Sequence, residues 1–143
     1  MAYEREVFEN NTFVDAARVL NKFDAALFAM SKSGESVWTN ELPEEDFAAQ
    51  DVVVTASAEP KFYEIEFSPY TTSPEFRLTS GKIPIEYGTR LQAAYSTSVR
   101  FRDVTVTLDG VTLTFTFDTG RSTSSSSTTS AKNVVPQRIR LYY

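Results

Sequence analysis

The chain has 143 residues, a formal net charge of −5, no cysteine and no histidine. That excludes a disulfide framework and a thiolate metal site, and it removes the usual general base and the commonest transition-metal ligand. Eleven phenylalanines against two methionines, in a chain this long, point to one domain with a ring-filled core.

Residues 1–11 are polar and mixed, with Tyr3, Val7 and Phe8 as the large anchors, and read as an arm or a short edge strand. Asn11 and Thr12 suit an N-cap. From Phe13 to Met30, Phe13, Ala16, Ala17, Leu20, Phe23, Ala26, Leu27 and Met30 recur at three and four residues. This spacing predicts an amphipathic helix over 12–33. Asp15 near its start and Lys32 near its end suit the helix dipole, and Gly34 suits its stop.

Beyond the helix the period changes. Val37-Trp38 reads as a brief strand, and Glu41 to Asp46 as an acidic loop leading into one helical turn through Phe47-Ala-Ala49. Val52 to Ser57 and Lys61 to Phe67 read as strands, and Ser68 to Pro74 as a loop with two prolines. Glu75 to Thr79 and Ile83 to Tyr87 follow. Pro84 limits the latter to a sheet edge. Gly88 to Thr97 fits strand or short helix, and Ser98 to Phe101 returns to the β pattern.

Two alternating runs then flank Asp109-Gly110, and a type I′ hairpin is expected. It would pair Leu108 with Val111, Val106 with Leu113 and Val104 with Phe115 on the core face. Thr107 would face Thr112 and Thr105 would face Thr114 on the other. Val99 and Phe101 are odd-numbered whereas Val104, Val106 and Leu108 are even, so a bulge or kink is expected at Arg102-Asp103. The tract from Gly120 to Ser130 has nothing to bury and reads as a flexible tether over 119–132. The last segment, 133–143, reads as an amphipathic edge strand, with Arg138 and Arg140 on one face and Ile139 and Leu141 on the other.

The expected fold is therefore mainly β (α+β). It is a single domain with an antiparallel sandwich or barrel-like body over 50–118, about seven short strands in all, one N-terminal helix and extended ends. Charge is uneven, with a net of −8 over residues 1–60 and +3 over 61–143. Such asymmetry can steer association, although charges also simply coat soluble surfaces. No stretch reaches the roughly 18 apolar residues of a membrane helix, and the N-terminus lacks the regions of a signal peptide. Synthesis in a cytoplasm and no membrane partner are expected.

Several patterns are candidate sites. Thr105, Thr107, Thr112, Thr114 and Thr116 form an array like those of ice-binding surfaces, but threonine is also a good residue for a solvated strand face. Glu64 and Glu66 share one strand face about 7 Å apart, which could serve a hydrolase or be an exposed face. Glu41, Glu44, Glu45, Asp46 and Asp51 could attract Ca²⁺, yet no Ca²⁺ loop motif is present. Nucleotide-binding and nucleophile-elbow motifs are also missing. Arg100, Arg102, Arg121, Lys132, Arg138 and Arg140, with Tyr142 and Tyr143, make the last third mildly basic. The chain's overall acidity argues against nucleic acid. Trp38, Tyr63, Tyr70 and Tyr87 could line a carbohydrate face or belong to a core and its rim.

The expectation is a protein that is not an enzyme and takes no cofactor and no metal. Arg138, Ile139, Arg140, Leu141, Tyr142 and Tyr143 are expected to make the contacts of a homo-oligomer or of other structural partners. They would do so by strand addition, although pairing within the chain fits equally well. A polar arm (Met1–Asn11), a compact β body, a Ser/Thr tether (Ser122–Ser130) and a terminal strand (Val134–Tyr143) together resemble, in layout, the small structural proteins of tailed-phage virions. The resemblance implies a capsid decoration or a tail or neck ring subunit, made in the host cytoplasm and built into the virion. It matches no family motif, so it carries no functional residue. The alternatives are a monomeric binding module for carbohydrate or a protein surface, and a small hydrolase using Glu64 and Glu66.

Overall fold

The computed structural model describes residues 34–94, 97–123 and 127–143. They belong to the second of two units into which the chain divides, Met1–Ser33 and Gly34–Tyr143. The expected arm over 1–11 and helix over 12–33 lie outside the described residues. The described unit is mainly β, with two antiparallel sheets and no helix among the described residues. No helix there is long and apolar enough to cross a membrane.

Eleven strands form among the described residues: β1 (Glu35–Thr39), β2 (Gln50–Thr55), β3 (Phe62–Tyr70), β4 (Leu78–Thr79), β5 (Ile83–Pro84), β6 (Thr89–Ala94), β7 (Val99–Asp109), β8 (Thr112–Phe117), β9 (Arg121–Thr123), β10 (Ser127–Thr129) and β11 (Asn133–Tyr142). One sheet has the order β1-β11-β3-β4, with β5 also on β3. The other has the order β10-β9-β7-β8-β2, with β6 also on β7.

Alternation decides what is buried. Val52 and Val54 of β2, Leu91 of β6, Val104 of β7 and Leu113, Phe115 and Phe117 of β8 turn inward from the second sheet. Tyr63, Ile65 and Phe67 of β3, with Ile139 and Leu141 of β11, turn inward from the first. These side chains form one cluster. Tyr63 meets Phe115 edge-on at 5.3 Å, and Phe47 meets Phe117 at 5.4 Å, geometries that aromatic rings favour.

Several local expectations are corrected. Residues 47–49 form no helical turn; Phe47 is instead inserted in the core, and its amide donates to the Ala131 carbonyl at 2.9 Å. β3 continues through Ser68 and Pro69, where a loop is expected, because Val135 and Asn133 of β11 pair with Ser68 and Tyr70. The ambiguous stretch after Gly88 is a strand, β6.

The hairpin keeps its faces but moves its register by two residues. Leu108 pairs with Leu113, Val106 with Phe115 and Val104 with Phe117, while Thr107 faces Thr114 and Thr105 faces Thr116. The loop is Gly110-Val111, with Gly110 at φ +62°. A type I′ turn would need two residues at positive φ, whereas here only the glycine bears that conformation, as in a type II′ turn. The Val111 carbonyl is also used, accepting from the Ala56 amide at 2.8 Å.

β7 does not slip at Arg102-Asp103. Arg102 takes the inward place at zero exposure, in phase with Val104. The irregularity lies on the returning chain. Asp118 to Gly120 form a bulge opposite Arg102-Asp103, between the Val104–Phe117 and Phe101–Arg121 pairs. Beyond it, the described residues on either side of 124–126 in the Ser/Thr tract are paired, where a flexible tether is expected. Arg121, Ser122 and Thr123 pair with Thr129, Thr128 and Ser127, and the same residues of β9 pair with β7.

Candidate interaction surfaces

The C-terminal segment is not an edge. β11 pairs with β3 on one side and β1 on the other, so it sits inside its own sheet. A bulge at Gln137 moves its inward phase to Ile139 and Leu141, both at zero exposure. Of the six expected contact residues, those two are core. Arg138, Arg140 and Tyr142 lie on the outer sheet face, and Tyr143 is at the rim, where its hydroxyl donates to the Glu35 carboxylate and accepts from the Ser57 amide.

Glu64 and Glu66 do share a strand face, as their spacing predicts. Arg140 Nη1 lies 2.6 Å from Glu66 Oε1 and 3.5 Å from Glu64 Oε1, and Arg138 Nε lies 3.9 Å from Glu66 Oε2. Tyr142 donates to Glu64 at 3.4 Å, and Lys82 sits 4.1 Å over the Tyr142 ring. Both carboxylates are thus bound by one guanidinium, across the β3–β11 pair. The pair reads as the polar counterpart of the core on the opposite face.

The threonine array is real and wider than one hairpin. Thr105 and Thr107 of β7 continue through Thr116 and Thr114 of β8 to Asp51 and Val53 of β2, with Thr112 facing Thr55. Thr116 Oγ1 donates to Asp51 at 2.7 Å. On the same face, Arg90 holds Asp103 through two bonds of 2.6 and 2.9 Å and lies 4.3 Å over the Phe101 ring. That ion pair lowers the Asp103 pKa from its ordinary value. Arg121 reaches Asp118 at 3.2 Å.

The expected arginine set is therefore divided rather than gathered. Arg138 and Arg140 lie on one sheet, and Arg121 on the other. Arg100 lies 3.1 Å over the Tyr70 ring, and Arg102 is buried. The four aromatics are divided too. Tyr63 is core, its hydroxyl donating to the Tyr87 carbonyl at 2.8 Å, Trp38 packs on Phe47 at 6.1 Å, and Tyr87 is exposed. Among the described residues no group of three or more acidic side chains is placed to hold a metal ion.

Arg102 is the residue that pattern reading missed. Its guanidinium donates to the carbonyls of Val134 at 2.7 Å, Asn133 at 2.9 Å, Ala131 at 3.4 Å and Asp118, and it lies 5.3 Å from the Phe47 ring centre. Burial pulls its pKa down to about 10, and Asp118 opposes that, so the group is charged at neutral pH. These bonds fix the start of β11, where Val134 has φ +50°, a strained conformation for a β-branched residue. The signal was the even phase of Val104 and Val106, which passes through Arg102.

An open cleft of about 590 Å³ lies where Phe62, Pro84 and Ile85 face Val106 and Leu108, with Glu86 at its rim. Comparison with protein-family models, curated proteins and solved structures returns no match to this chain.

Proposed function

We propose that this chain is a non-enzymatic structural protein that works by assembly, on a β-sandwich body, with copies of itself and with other structural proteins. The role proposed is a component of a tailed-phage virion, a capsid decoration or a subunit of a tail or neck ring; with the Ser/Thr tract paired and β11 inside its sheet, that resemblance rests on the polar sequence of residues 1–11 and the compact β body. The observation that carries the reading is the edge of the second sheet. It ends in β2, six regular residues without proline or bulge, whose one charged side chain, Asp51, is engaged by Thr116 on the sheet face, and Val53 is 62% exposed. Monomeric β proteins usually blunt such an edge with those very devices.

The role expected of the C-terminal strand changes with its position. Because β11 lies inside its sheet, it can serve assembly only by exchange between copies, while the surface residues Arg138, Arg140, Tyr142 and Tyr143 remain available as contacts. Electron microscopy of the purified chain tests the proposal. Closed particles of one size support it. A field of single subunits at every concentration, with or without candidate virion proteins, overturns it.

The second reading is a monomeric module that binds carbohydrate or a protein surface. The cleft beside Phe62 and Leu108, with exposed Tyr87 on the neighbouring segment, favours it. A glycan array that gives a signal lost on Phe62→Ala would establish it in place of the first.

A further inference from the structure

The β2 edge has a geometry that selects its partner. The Ala56 amide, one residue past β2, donates to Val111 at 2.8 Å. Antiparallel ladders alternate, so Gln50, Val52 and Val54 also direct their backbone groups at β8. Asp51, Val53 and Thr55 therefore turn their N–H and C=O groups outward, and no hydrogen bond to them from another strand is made among the described residues. The other edges offer a second copy less. β1 carries a bulge between Ser36 and Trp38, β4 and β5 have two residues each, and β10 has three. β6 is as long and as regular as β2 and likewise carries one charged side chain, Arg90, but Thr89-Arg-Leu-Gln-Ala-Ala94 has no symmetry about a centre.

We propose that β2 pairs antiparallel with β2 of a second copy, about a two-fold axis at Val53, so that two six-stranded sheets become one. This rests on the assembly reading above and names its partner. The sequence Gln50-Asp-Val-Val-Val-Thr55 is close to self-complementary about its centre. Val53 meets Val53 of the second copy, and each exposed valine covers the other. Asp51 meets Thr55 of the second copy, which places an acceptor against a hydroxyl donor, the same pairing that Asp51 makes with Thr116 in its own sheet at 2.7 Å. The two Asp51 carboxylates would lie about 14 Å apart along the strands, beyond the screening length of roughly 8 Å. On the inner side Val52 meets Val54. A closed, isologous contact needs this kind of symmetric patch.

Two variants and one cross-link test the pairing. Val53→Pro removes an outward amide that β8 does not use, so the body keeps its ladder. Val53→Lys places a charge against its own copy. The chain has no cysteine, so Val53→Cys carries a single thiol. Across the axis two such thiols would sit on Cα atoms about 5.5 Å apart, within reach of a short bis-maleimide. Thiols from Thr107→Cys, two strands inward, would be roughly 25 Å apart. The expected result is a dimer by sedimentation for the parent chain. At the same concentration both Val53→Pro and Val53→Lys are folded monomers, and Val53→Cys cross-links whereas Thr107→Cys does not. A parent that associates equally well with Val53→Pro and Val53→Lys, or a Val53→Cys chain that cross-links no better than Thr107→Cys, overturns the β2 pairing and leaves assembly standing. A parent that is monomeric at every concentration overturns both.

Discussion

Replacing Arg102 with methionine tests the claim that one buried cation holds the start of the last strand. Methionine keeps most of the stem but removes the guanidinium, with every donor and its place 5.3 Å from the Phe47 ring centre. The carbonyls of Val134 and Asn133, which accept from Arg102 at 2.7 and 2.9 Å, would then be left without that partner, along with Asp118. An unsatisfied buried polar group costs about 1–3 kcal/mol, and three main-chain carbonyls would be left in that position. Deletion also removes the desolvation that the guanidinium itself suffers, so a net loss of about 4 kcal/mol is expected. With a urea m-value of about 1.5 kcal/mol/M, the unfolding midpoint falls by about 2.7 M. That is a large fraction of the roughly 5–15 kcal/mol of a typical domain. Arg102→Lys, which keeps a charge but cannot fan out to four carbonyls, should fall between the two. If Arg102→Met stays within about 1 kcal/mol of the parent, as an ordinary surface change would, the arginine is a passenger and does not hold β11.

Other outcomes follow from the same geometry. Removing Val134–Tyr143 takes out four side chains at zero exposure, Val134, Val135, Ile139 and Leu141, together with the partner of both β1 and β3. The truncated chain should show no cooperative unfolding transition by circular dichroism; a sharp transition would mean the body stands without β11. A Cβ on Gly120 would collide with the backbone carbonyl oxygens of Asn133 and Ser130, so Gly120→Ala should cost about 2 kcal/mol or more by urea titration. Gly110→Ala meets nothing and should cost only about 1 kcal/mol, for its φ of +62°. The Tyr63 phenol is buried, which raises its pKa above the ordinary 10.0. Its contribution is present below pH 10 and is lost as pH rises beyond, by up to about 1.4 kcal/mol per pH unit. Arg102, whose pKa burial pulls down, acts in the opposite sense from about pH 10 upward. The Tyr63 effect is therefore the difference between the parent and Tyr63→Phe in urea titrations from pH 9 to 11. Parallel curves would refute it.

The strands that bury one face could be read from alternation. Val104, Val106, Leu113 and Phe115 mark both their strands and their shared face, and Arg138/Arg140 against Ile139/Leu141 do the same. What alternation does not encode is which register closes a hairpin. A shift of two residues preserves every face, and the choice falls to the φ demands of Gly110 and the use of the Val111 carbonyl by Ala56. Arg102 reads as a break in phase because a charged residue is not expected at an inward position. Its donors are met only by the carbonyls of 118, 131, 133 and 134, remote in sequence. Residues 119–132 read as a tether because serine and threonine give nothing to bury; backbone pairing of β9 with β7 needs no such signal. The pairing of Glu64 and Glu66 on one face was legible, but their capture by Arg140 was not, because it depends on β11 lying beside β3.

The solution mass of the intact chain, by light scattering across a concentration series from low micromolar to near millimolar, bears most directly on the assembly reading. Self-assembly predicts a mass that rises with concentration to a dimer or a closed multiple of it. A mass that stays at 16.0 kDa, that of one chain, throughout the series contradicts it.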